Sequence, residues 1–76
     1  MVSRHVKESL ERYVDDHIEP GGFLRAVLEN DLRESFGRAD EGNRLELFNI
    51  VMYIYSELPA ICWGSKKKVD GWLKDD

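Results

Sequence analysis

The chain has 76 residues, 15 acidic against 11 basic side chains, and a net charge of −4. That length predicts one domain, residues 1–76, with a modest core, since a chain this short buries only about 60% of its unfolded surface. Interspersed charge with an acidic balance argues against a phosphate-binding surface. A lone cysteine, Cys62, excludes an internal disulfide and fits a reduced, cytosolic setting. The opening MVSRHVKESLERY has no apolar stretch of the signal-peptide kind.

Four helical segments follow in chain order, near residues 4–18, 21–36, 41–57 and 65–73. In the first, Val6, Leu10, Tyr13, Val14 and Ile18 recur at helical spacing behind Ser3, an N-cap candidate. Glu8, Glu11, Arg12 and Asp15 fall opposite. His17 lies within the apolar arc, where a histidine is a satisfied core residue or a cation at the helix end. Pro20-Gly21-Gly22 then breaks the chain.

The second segment places Phe23, Leu24, Val27, Leu28, Leu32 and Phe36 on one arc, with Gly37 as a left-handed cap candidate. Asp31 interrupts that arc and has two readings. Either the helix breaks at Asn30 and Asp31 caps a short helix from Leu32 to Phe36, or Asp31 is a buried carboxylate paired with Arg38 or His17.

Asp40 is the N-cap candidate of the third segment, which stops before Pro59. Nine of the eleven residues of LELFNIVMYIY, Leu45 to Tyr55, are apolar. The run is too short for a bilayer, which needs about 20 apolar residues. It predicts an all-α domain in which the other helices wrap an apolar third one. The expected core is Leu10, Val14, Phe23, Val27, Leu28, Leu32, Phe36, Phe48, Val51, Met52, Tyr55 and Trp72.

Glu46, Asn49, Ser56 and Glu57 form the polar wedge of the third segment, and Tyr53 falls inside it with Ile50 at its edge. Glu46, Asn49, Ile50, Tyr53 and Glu57 are therefore the candidate protein-binding face. An aromatic beside an aliphatic, rimmed by polar groups, has the composition of an interface centre. Such a face also suits a homodimer.

Ala60 to Gly64 reads as a loop. Ser65 is positioned to cap a last helix carrying Val69, Trp72 and Leu73. Lys66, Lys67 and Lys68 in its first turn, and Asp75 and Asp76 at its end, oppose the helix dipole. This predicts a fraying helix that docks through Trp72.

His5, His17 and Cys62 have no metal-ligand spacing, so no metal or cofactor is expected. Cys62 has no base nearby to make it a nucleophile. Asp31, Arg38, Asp40 and His17 are polar residues with structural roles, and a domain this small has little room for a catalytic pocket among them. No enzymatic activity is expected.

PGGFLRAVLENDLRESFGRAD, Asn43, YIYSELPAICWGS and VDGWL together resemble a group of short, uncharacterised bacteriophage and prophage proteins. The most specific pieces are Asn30-Asp31-Leu32, Gly37-Arg38-Ala39-Asp40 and Cys62-Trp63-Gly64-Ser65. The resemblance implies an accessory factor in the bacterial host cytosol that binds a host or phage protein as an adaptor or inhibitor, including one of host defence. The alternative is a small DNA-binding regulator with a helix-turn-helix at Gly37–Asp40. Its recognition helix would offer only Asn43, Arg44 and Asn49 to bases.

Overall fold

Local signals at each junction explain the helices of this computed structural model, which describes residues 2–74. Helix α1 spans Arg4–Asp16, and His17 closes it in the left-handed region at φ 57°. The amide of Ile18 reaches back to the Arg12 carbonyl and that of His17 to the Tyr13 carbonyl, which satisfies the last carbonyls of the helix. Ser3 stands at the N-cap position without a side-chain cap bond. Its amide instead donates to Glu46 Oε1 at 2.8 Å.

The expected second helix is two helices. α2 spans Gly22–Leu28 and α3 spans Leu32–Arg38. Asn30 takes φ 65°, and the Asp31 amide returns to the Ala26 carbonyl. Asp31 then begins α3, its Oδ1 accepting from the Glu34 amide at 3.1 Å. Asn is among the few residues that tolerate the left-handed turn, and Asp is a strong N-cap. Asn30-Asp31 is thus a stop followed at once by a start. Gly37 is not a left-handed cap: it lies within α3, and the chain leaves through extended Ala39.

Helix α4 spans Glu41–Glu57, capped by Asp40, which accepts from the Asn43 amide at 2.7 Å. A single 3-10 turn, Ala60–Cys62, leads to α5, Lys66–Lys74. The Ser65 hydroxyl accepts from the Lys68 amide at 3.1 Å. Gly64 takes φ 114° and donates to the Leu28 carbonyl at 2.7 Å, tying this turn to the end of α2. Asp75 and Asp76 lie outside the described residues. The described residues contain no strand, and no helix among them is long and apolar enough to cross a membrane.

Val6, Leu10 and Tyr13 of α1, Phe23, Leu24 and Leu28 of α2, Leu47, Ile50 and Ile54 of α4, Cys62 and Val69 form the core. The expectation of a wrapped α4 is corrected here. Leu32, Phe36, Phe48, Val51, Met52 and Tyr55 are exposed rather than buried. Of the expected core, Leu10, Phe23 and Leu28 are buried, and Val14, Val27 and Trp72 pack against it.

Candidate protein-binding face

Helix α4 is apolar on nearly every side, so periodicity alone cannot choose the side that packs. Ser3 meets Glu46 and the Lys7 ammonium lies 5.7 Å from the Tyr53 ring, so α1 runs along α4 in the same sense. It covers the wedge expected to be exposed. Ile50 is 0% exposed, and Tyr53 packs against the core with its hydroxyl pushed up in pKa by burial, then by Glu11 and Glu57. Glu46 and Asn49 are half-buried, and only Glu57 is exposed. Ile50 therefore presents no surface, and Tyr53 is only partly exposed.

The opposite side of α4 is the one left bare. Leu45 is 80% exposed, Phe48 74% and Tyr55 70%, with Val51 and Met52 about half exposed. Helix α3 repeats the inversion. Its inward residue is Ser35, with Ala39 buried just beyond its end, while Leu32 and Phe36 point outward. A helix that buries a serine and exposes a phenylalanine has its large apolar groups on the wrong side for a self-sufficient core.

The two rows belong to one region. Arg44 Nη2 reaches the Phe36 carbonyl at 3.4 Å, and Asn30 shares a groove of about 320 Å3 with Val51, Met52, Tyr55, Val27 and Trp63. Tyr55 and Trp63 meet edge to face at 5.9 Å. Taking full areas of roughly 150–250 Å2 for aromatics and somewhat less for aliphatics, the seven outward side chains of α3 and α4 expose about 700–800 Å2. The largest apolar patch on a typical monomer is about 300–600 Å2. From Leu45 to Ser56 the sole charged residue of α4 is Glu46, which is turned toward Ser3.

The polar residues singled out in the sequence are held apart. Asp31 and Asp40 cap α3 and α4. Arg38 pairs with Glu34 at 3.3 Å on the surface and lies over Gly22. His17 Nδ1 donates to the Trp72 carbonyl at 2.6 Å. These four residues form no common pocket. Cys62 is buried, with its thiol pushed up in pKa by desolvation and its Sγ donating to the Pro59 carbonyl at 3.1 Å. That environment suppresses the thiolate a nucleophile needs. No group of three His, Cys, Asp or Glu side chains among the described residues is placed to hold a metal ion.

Two features escaped the sequence reading. The Tyr13 hydroxyl donates to the Cys62 carbonyl at 2.7 Å, fully buried. Arg25 gathers Glu19, Glu29 and Asp70, joining the α1–α2 loop, α2 and α5. Only its bond to Glu29, four residues on, had a local signal. In the lysine run, Lys66 pairs with Asp70 at 3.5 Å and Lys68 Nζ donates to the Ala60 carbonyl at 3.4 Å. The first lies within α5, and the second ties α5 to the 3-10 turn.

No known protein family, curated protein or solved structure matches this chain.

Proposed function

We propose that this chain is a non-enzymatic interaction protein that binds another protein through the outward face of α3 and α4. The observation that carries the reading is the row Leu45, Phe48, Met52 and Tyr55, exposed beside Leu32 and Phe36. Burying apolar surface is worth about 25 cal/mol per Å2, so leaving a patch of this size in water forgoes a large favourable term. A protein that covers it recovers that term. The resemblance of Asn30-Asp31-Leu32, Gly37-Arg38-Ala39-Asp40 and Cys62-Trp63-Gly64-Ser65 to bacteriophage proteins supplies the setting of the proposal, an adaptor or inhibitor in a bacterial host.

Duplex DNA is the weaker reading. The outward side of α4 offers Arg44 as its one cation and Glu41 one turn before it, with apolar residues beyond. A groove-reading helix needs donors and acceptors there.

The test is capture from bacterial lysate by the tagged chain and by Phe48→Asp, read by mass spectrometry. Protein retained by the parent and lost from the folded variant is the expected result. Identical capture by both would overturn the assignment of this face.

A further inference from the structure

The outward row of α4 has a spacing that bears on what covers it. Leu45, Phe48, Met52 and Tyr55 follow one another at intervals of three, four and three residues. That is the seam of a helix that pairs with another helix along its length. The row is also nearly symmetric about its own middle. Turned end for end, Leu45 falls opposite Tyr55, and Phe48 opposite Met52.

We infer that the occupant of this face is a second copy of the chain, with the two α4 helices packed antiparallel about a two-fold axis and α3 flanking each. The inference rests on the reading above that the α3–α4 face binds protein, and it names the partner. A two-fold interface requires one patch to be complementary to itself. This patch meets that requirement, because each large side chain finds another large apolar side chain opposite.

Area and charge agree. A standard interface takes about 800 Å2 from each partner, and the outward side chains expose about 700–800 Å2 by the areas used above. The rim is complementary only in the antiparallel sense. Arg44, exposed at the start of the row, then lies opposite the partner copy's Ser56, beside the last carbonyls of α4. A cation there meets the negative end of the helix dipole. In a parallel pairing Arg44 would face Arg44. Within the seam there is no charge to desolvate, since Glu46 is turned away toward Ser3.

The experiment is sedimentation equilibrium of the full chain beside Phe48→Asp and Leu32→Asp, with circular dichroism on all three. Both substitutions are at exposed positions, so the monomer fold is retained. The parent is expected at twice the monomer mass. Each variant should dissociate about 30-fold or more readily, the loss typical of a disrupted interface centre. A parent that stays monomeric to about 100 μM, a range that covers micromolar affinities, overturns the inference. So does a dimer indifferent to both substitutions. A monomeric parent that still captures a lysate protein through Phe48 keeps the broader reading and overturns this one, whereas a parent that is monomeric and captures nothing overturns both. The sense of pairing is read by oxidising Leu45→Cys and Tyr55→Cys chains together. A mixed disulfide is expected, and disulfides formed within each variant alone would overturn the antiparallel arrangement.

Discussion

His17 and Trp72 are bonded and stacked across 55 residues of sequence: Nδ1 of His17 donates to the Trp72 carbonyl at 2.6 Å, and the two rings lie 4.6 Å apart. The Trp72 indole returns the contact to α1, donating to the Tyr13 carbonyl at 2.8 Å. The end of α1 and the last turn of α5 are thereby joined. The same pair holds His17 at φ 57°, a conformation that costs an ordinary L-residue about 1–2 kcal/mol.

Two substitutions at His17 separate the bond from the backbone. His17→Gly loses the bond and the stacking but adopts the left-handed conformation without cost. His17→Ala loses the contacts and keeps the steric penalty, so it should be less stable than the glycine variant by about 1 kcal/mol. Urea unfolding of both variants measures the difference. Equal stabilities would remove the backbone from the account.

Tyr13→Phe should cost about 1–3 kcal/mol, because the fully buried Cys62 carbonyl loses its donor. Its alkaline behaviour should change as well. Burial, then Cys62, pushes the Tyr13 hydroxyl well above its ordinary value near 10. The native state therefore keeps this proton where the unfolded chain releases it. The contribution is complete below about pH 10 and is lost as pH rises beyond that. Cys62, also raised, adds a slope of the same sign from about pH 8.5. Stability measured by denaturant from about pH 8 to 11 should fall in the parent, and Tyr13→Phe should flatten the fall above pH 10 to the slope left by Tyr53.

Asp31→Ala and Asp40→Ala should each destabilise by about 0.5–2 kcal/mol through loss of an N-cap bond. The sites share no partner, so the double variant should show the sum. Asn at either position should recover most of the loss, because its side-chain oxygen accepts the same amide. Guanidinium titrations of the three variants and the two Asn rescues check this.

The two sides of α4 should respond oppositely. Ile50→Ala opens a cavity in a fully buried site and should cost about 2–5 kcal/mol. Phe48→Ala, three-quarters exposed, should change the stability of the isolated monomer by less than about 0.5 kcal/mol. Dilute samples, below any self-association, are needed for that comparison. A larger loss at Phe48 than at Ile50 would reverse the orientation of α4.

Much of the helical layout follows from local chemistry. Asp40 before an apolar run and Pro59 after it bracket α4, the ordered pair Asn30-Asp31 stops one helix and starts the next, and Ser65 caps α5. The polar assignments of Asp31 and Asp40 rest on bonds spanning three residues, so they were readable from the chain alone. The alternative pairing of Asp31 with Arg38 or His17 was equally compatible with a helical wheel until the turn at Asn30 made α2 and α3 separate helices. The docking of α4 needed tertiary structure. With apolar residues around most of its circumference, rotation about its axis changes little in local propensity, and no periodicity distinguishes Ile50 from Phe48. The rotation is set by long-range contacts, Glu46 with Ser3, Lys7 with Tyr53, and Ile50 and Ile54 in the core. Helix α1 takes one side, and no described part of the chain covers Leu45, Phe48, Met52 and Tyr55.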